Sequence, residues 1–411
     1  MHSTYAAAEV RASGGVLPTR RSFVIGALFV MTYVALALAT RYYMVRPFGI
    51  TSWNPNAGFA LALLLVFGPR FWPALAIASC IANLAIRGVP AMPYTQLLLP
   101  VAITAGYYTM AQLLRGPLGL RIAFDRLRDA ISLVLVAAVG TLLVAVVSVF
   151  AIRMNNQIAP DDLWHTIMRS WTGHLLGVII NTPILLMLAD RRRFMQLVRQ
   201  LPRVEFGIQL GVVAFALWLI FASGWANPYK QFYLLFLPLI WIAMRHGVLG
   251  ATLATAFTQL GFIALVVGSS LDRGMSITEF QMIMVALALT GLFLGMVVSE
   301  NRRAHSALNT SEAQLRAVVS TAPDGIITVG ENGLIAAANP AAAGIFGCRV
   351  DELVGRRVHE VLPDYQRVAA SGDACELTGV RVDGSRFPVE LSVGVTESQN
   401  PAMQIAITRD I

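Results

Sequence analysis

Between Ser22 and Val298 the chain repeats one pattern: stretch after stretch of about 20 residues runs with almost no charge. Each such stretch can cross a hydrocarbon layer of about 30 Å as a helix. A water-soluble domain has no way to enclose so many helices that are apolar on every side. The chain therefore reads as a polytopic membrane protein. Its charged fraction agrees, at 13% of 411 residues, about half of what a soluble domain carries. From about Glu300 onward the composition becomes ordinary for a domain in water.

Segments are expected at 22–44, 54–67, 71–86, 95–114, 128–152, 166–189, 206–223, 231–244, 248–268 and 279–298. The second and eighth are short enough to be re-entrant or broken, so about 8 to 10 transmembrane helices follow. Charge gives an orientation. Arg70, Arg115, Arg121, Arg126, Arg128, Arg191, Arg192, Arg193, Arg199, Arg203, Arg245, Arg302 and Arg303 fall on one side. Arg46, Arg87, Arg153, Asp161, Asp162, Lys230, Asp272 and Arg273 fall on the other. The positive-inside rule then places both termini in the cytoplasm. It also accounts for the net charge of +8 without nucleic acid. Thr19-Arg20-Arg21-Ser22-Phe23-Val24 is built like a twin-arginine signal, but the apolar run behind it reaches Met44, longer than a signal core. Arg20 and Arg21 are read as anchors of the first span, with 1–21 as a cytoplasmic tail. Cys80, Cys348 and Cys375 have neither metal nor disulfide spacing and are expected as thiols.

Residues 300–318 are polar but helical in period. Asn301, Ala304, Leu308, Ser311, Leu315 and Val318 recur at three and four, the seam of a short parallel coiled coil or one side of an unpartnered helix. The tail then changes period. "GIITVGENGLIAAANPAAAGIFG" reads as strand, Asn-Gly turn, strand and a short helix opened by Asn339-Pro340. "VDELVGRRVHEVLPD" reads as one more short helix and an irregular stretch, "ACELTGVRVDGSRFPVELSVGV" as a hairpin through Asp383-Gly384, and "MQIAITRD" as a last strand. Strands and short helices in this order make a small α+β domain.

Two resemblances follow. The tail resembles a PAS domain, across about 312–411. The matching pieces are Ala322-Pro323-Asp324-Gly325-Ile326, Asn339-Pro340-Ala341, Phe346-Gly347, Asp351-Glu352-Leu353-Val354-Gly355, the run Asp383 to Glu390, and Arg409-Asp410-Ile411. The part at 22–299 resembles the first class of the bacterial MASE family of membrane-associated sensor domains. It carries Trp53, Pro55, Gly58, Ala60-Leu61-Ala62, Gly68-Pro69-Arg70, Trp72-Pro73, Ser79 and Ala82-Asn83-Leu84. A second element has Trp171, Gly173, Leu176-Gly177-Val178 and Pro183-Ile184-Leu185-Leu186. Asn54 stands where that family has Pro, and His174 where it has Asp.

Together these imply a polytopic α-helical membrane domain joined by a connecting helix at 300–318 to a cytoplasmic PAS domain. By resemblance it is the sensory half of a bacterial inner-membrane signalling protein, homodimeric through the connecting helix and PAS. It would feed a diguanylate cyclase/phosphodiesterase or a histidine kinase outside these residues. A small-molecule transporter with a regulatory tail is the rival class. The ligand or signal candidates are Trp53, Asn54, Asn56, Asn83, Arg169, Trp171, His174 and Asn181; the relay candidates are Leu308, Leu315 and Asp410. Asn54 and Asn56 either satisfy the backbone freed by a helix broken at Pro55 and Gly58, or face a ligand cavity. His174, Gly177 and Asn181 share one helical face, and polar groups inside a bilayer face protein or water. The PAS motifs support neither haem nor a photoactive flavin: "YQRVAASGDACEL" lacks the His by which haem-binding PAS relatives hold their iron, and "GCRVDEL" is not the reactive-cysteine motif of flavin photoreceptors. His359 and His305 read as surface or linker residues. Nothing resembling a catalytic motif or a metal-ligand set is present.

Overall fold

A computed structural model describes residues 19–40, 44–45, 50–51, 53–87, 95–154, 158, 162–200, 202–221, 231–268, 277–371, 374–396 and 403–411. The chain divides into two compact units, 1–302 and 303–411.

The first unit is helical. Its elements are α1 (Thr19–Thr40), a two-residue hairpin of β1 (Met44–Val45) and β2 (Ile50–Thr51), α2 (Pro55–Phe67), α3 (Trp72–Arg87), α4 (Thr95–Arg115), α5 (Leu127–Arg153) and α6 (Leu163–Ala189). There follow α7 (Arg191–Gln200), α8 (Arg203–Phe221), α9 (Phe236–Gly268) and α10 (Ile277–Thr321). Among the described residues, eight helices are long and apolar enough to cross a membrane, and Pro55–Phe67 is a shorter apolar one. α9 is two helices joined at Gly247, whose φ of 64° and ψ of −152° interrupt the ladder. Each expected segment is helical among the described residues, apart from Met44, which lies in β1, and Asn54, which caps α2. The ends at 41–43 and 222–223, with Arg46, Asp161, Lys230, Asp272 and Arg273, lie outside them. α7, joining α6 to α8, has no counterpart in the sequence reading.

α2 shows why a 13-residue apolar helix is stable here. It is apolar on all sides and, Phe59 apart, buried from Pro55 to Leu65, which requires neighbours all round. α6 is its principal neighbour, with α4 and α1 completing the enclosure. Pro55 opens the helix, where a missing N–H costs nothing. Gly68 ends it at φ 97°, a conformation that suits glycine. The chain then turns through Pro69–Phe71 into α3. Helices at the rim behave oppositely. Phe23, Leu28 and Met31 of α1 and Val204, Phe215 and Trp218 of α8 are exposed, as side chains facing lipid are.

The second unit carries β3 (Gly325–Val329), β4 (Ile335–Ala338), short helices α11 (Pro340–Ile345), α12 (Val350–Leu353), α13 (Val358–Val361) and α14 (Tyr365–Ser371), then β5 (Cys375–Val380), β6 (Arg386–Thr396) and β7 (Met403–Asp410). The sheet is antiparallel in the order β4-β3-β7-β6-β5. Its inward side chains, Ile327, Val329, Val389, Leu391 and Ala406, meet Phe346, Leu353 and Leu362 from the helical side in one apolar core. The expected single helix after Phe346 is three short ones. Gly355, at φ 89°, turns the chain between α12 and α13, and Pro363 follows the end of α13, where it cannot continue a helix.

Candidate functional site

The residues singled out at the start of α2 meet α6. The Asn54 N–H donates to the Gly173 carbonyl at 3.1 Å. The Asn181 side chain donates to the Pro55 carbonyl at 3.3 Å, and the Thr182 hydroxyl to the Gly58 carbonyl at 3.2 Å. Backbones approach so closely that a Cβ on Gly58 would overlap the Gly177 carbonyl oxygen, and one on Gly177 the Asn54 carbonyl oxygen. Such glycine contacts bring membrane helices together and shorten their polar bonds.

His174 lies in the same junction. The Tyr107 hydroxyl of α4 is 2.8 Å from its Nδ1, and the Asn54 side-chain amide 3.5 Å from its Nε2. Three elements, the entry to α2, α4 and α6, are thus tied through one buried imidazole. At the other end of α2, Arg115 of α4 donates to the Leu64 and Leu65 carbonyls at 3.1 and 3.2 Å. Those carbonyls belong to the last turn of α2, which has no helical donors left for them.

The structure brings Asn54, His174 and Asn181 together and distributes the rest. Trp171 turns to α5, its indole N–H donating to the Ala138 carbonyl at 2.9 Å. The Arg169 carbonyl accepts from Gln281 of α10 at 3.2 Å. Asn83 is buried on α3, whose main neighbours are α1 and α4. Trp53 Nε1, Asn56 Oδ1 and Arg169 Nε are buried and have no hydrogen-bond partner among the described residues. Each such atom costs about 1–3 kcal/mol, so these two donors and one acceptor mark where a polar group would be stabilised. Tyr107 and Arg115 were not singled out from the sequence; a tyrosine and an arginine in a long apolar helix were the available signals.

On the connecting helix Leu308, Leu315 and Val318 are 56%, 64% and 67% exposed. The side chains from Ala304 to Ser320 all face solvent in the single chain, far more apolar surface than an isolated polar helix needs to show. Its last turn is held from the PAS unit by Asn339. The Asn339 side chain accepts from the Ile326 and Ala342 N–H groups, both at 2.9 Å, and donates to the Val319 and Asp324 carbonyls at 3.0 and 2.9 Å. Asp410 pairs with Arg381 at 3.1 Å, and that guanidinium lies 4.3 Å over the Phe387 ring. Next to it Arg409 grips Asp324 with two bonds of 2.8 Å, which hold the Asp324 carboxyl below the usual carboxylate range. Cys80, Cys348 and Cys375 are free thiols, each partly buried; burial, then Glu352, pushes the Cys348 thiol up.

Two family descriptions match the chain: MASE1 over residues 24–302 and the PAS fold over 313–404. Among curated proteins it is 29% identical over 138 residues to the sensor protein FixL of Bradyrhizobium diazoefficiens, which covers 30% of this chain and 27% of that one. An uncharacterised protein of Azorhizobium caulinodans is 32% identical over 117 residues, 25% of this chain and 16% of that one. The chain thus spans about a quarter or less of the curated relatives it matches. Among solved structures, the PAS domain of an HTR-like protein from Haloarcula marismortui is 25% identical, with a TM-score of 0.23, and covers 25% of this chain and 99% of that one. A PAS domain from Colwellia psychrerythraea is 18% identical, with a TM-score of 0.23, covering 24% and 95%.

Proposed function

Because the chain belongs to the MASE1 family, we propose that it is the sensory part of a bacterial inner-membrane signalling protein with both termini in the cytoplasm. The membrane unit detects a stimulus, and α10 relays it past the PAS unit to an output module, a histidine kinase or a cyclic-di-GMP enzyme. The observation that carries this reading is α10 itself: a 45-residue helix whose apolar first part belongs to the membrane unit and whose last part belongs to the PAS unit. The similarity to a sensor protein supports the same reading. The stimulus site is the junction of α2 and α6, where Asn54, His174 and Asn181 meet.

The exposed seam of α10 is closed by a second copy of the chain. Cysteines at Leu308 and Leu315 should cross-link in native membranes, and cysteines at Ser306 and Ala313, on the opposite side of the helix, should not. Equal cross-linking at all four positions, or none, overturns the dimeric relay. A transporter reading takes support from the short α2 and the break at Gly247; concentrative uptake of a solute into vesicles would decide for it.

A further inference from the structure

The break in α9 frees backbone groups on both of its sides, and one neighbouring helix serves three of them. Gly247 leaves the Met244 and Arg245 carbonyls without helical donors and the Val248 N–H without a helical acceptor. Arg302 of α10 donates to Arg245 O at 3.0 Å and to Met244 O at 2.8 Å. One turn earlier on the same helix, Ser299 Oγ accepts from the Val248 N–H at 2.9 Å. Between them Glu300 accepts from the Leu127 N–H at 2.9 Å, at the first turn of α5. The two helices touch closely here: a Cβ on Gly295 would stand 2.9 Å from the Ala251 Cβ and the Val248 Cα, and one on Gly247 would overlap Ser299 Oγ. The first half of α9 is tied outward in turn, Arg245 to Glu205 at 2.8 Å and His246 to Gln209 at 2.7 Å, both on α8.

We propose that Ser299, Glu300 and Arg302 are positioning residues that clamp the root of the connecting helix to the break in α9 and to the start of α5. A change in the angle between the two halves of α9 is thereby delivered to α10. The inference rests on the signalling reading for its purpose but not for its geometry. With glycine-close backbones, α10 has little freedom to yield independently. A rotation by one residue, about 100°, would strip all four bonds at once, so the clamp transmits motion as a unit.

Hydrogen exchange with mass spectrometry on the full chain in detergent tests this from both sides. Ser299→Ala should speed exchange about tenfold in peptides covering 246–250, and also in those covering 127–130, which Ser299 does not touch. Val248→Pro deletes the N–H that Ser299 accepts and sets a ring carbon against Ser299 Oγ, so it breaks this contact and pushes the two helices apart at the break. It should speed exchange at 300–306 on α10. If Ser299→Ala acts only within α9, and Val248→Pro leaves 300–306 unchanged, the bonds are local caps and the clamp is wrong. Confined exchange together with cross-linked seams would sink the clamp alone. Coupled exchange with no cross-linking would sink the dimeric relay alone.

Discussion

His174 stands between the Tyr107 hydroxyl at 2.8 Å and the Asn54 amide at 3.5 Å, so both ring nitrogens meet neutral partners. A neutral imidazole offers one donor and one acceptor, which this pair of contacts uses completely. Tyr107→Phe would leave a ring nitrogen unserved inside the bundle, at a cost of about 1–3 kcal/mol. Thermal unfolding of the detergent-purified protein should show that loss, and Tyr107→Phe added to His174→Ala should cost little more than His174→Ala alone. Additive losses would mean the contact carries no coupling energy. If the junction is the stimulus site, His174→Ala also abolishes a response while the protein still inserts. Tyr365 gives a second residue-scale expectation, as the lone tyrosine among residues 303–411. Burial pushes its phenol up to about 12, and its hydroxyl donates to Gln404 at 2.8 Å. A raised folded value stabilises the domain fully below the ordinary value of about 10 and is lost as pH rises through about 12. The ultraviolet titration of the 303–411 unit should show ionisation near 12; ionisation near 10 contradicts the burial.

Asn339 joins three elements through one side chain, and its substitutions separate two jobs. Asn339→Asp keeps the oxygen that accepts from Ile326 and Ala342 but loses the donors to Val319 and Asp324. Asn339→Ala loses all four bonds. Melting of the protein should fall for alanine, by about 1–2 kcal/mol for the lost cap alone, and for aspartate as well, whose second carboxylate oxygen would face the Val319 and Asp324 carbonyls. Exchange near Val319 should rise in both variants; an unchanged Val319 region in aspartate would mean that the tie to the helix is idle. This cap was legible, because Asn followed by Pro announces a helix start. So were the ends of α2, through Pro55 and Gly68, and the hairpin at Asp383-Gly384, where Gly384 has φ 87°. What serves those ends was not legible. Arg115 reaches the carbonyls of Leu64 and Leu65 from about fifty residues away in sequence, and Ser299 reaches Val248 across a similar gap. Local periodicity carries no record of such pairs. The space between Met244 and Val248 read as a loop, whereas a single glycine in a left-handed conformation turns one helix into another there. Asn83 and Trp171 became ligand candidates because they sit in motif-like strings; the fold turns Trp171 to α5.

At the scale of the whole molecule, one 45-residue helix belongs to both compact units. A bundle that exchanges between two states needs a ligand with only a few kcal/mol of differential affinity to move its population. A rigid helix with a paired seam carries that choice as rotation or register, which a flexible tether does not. Under the proposed relay, output is sensitive to helical phase and insensitive to added length that preserves phase. The direct measurement fuses a histidine kinase domain in frame after Ile411 and inserts residues beside Asn309. Phosphorylation by the fusion should be driven to one extreme, fully on or fully off, by an insertion of four residues, which breaks the heptad. An insertion of seven residues, which restores it, should return phosphorylation close to the level of the fusion without an insertion. Equal phosphorylation with four and with seven would contradict the account, because α10 would then be a tether between two units that do not share a signal.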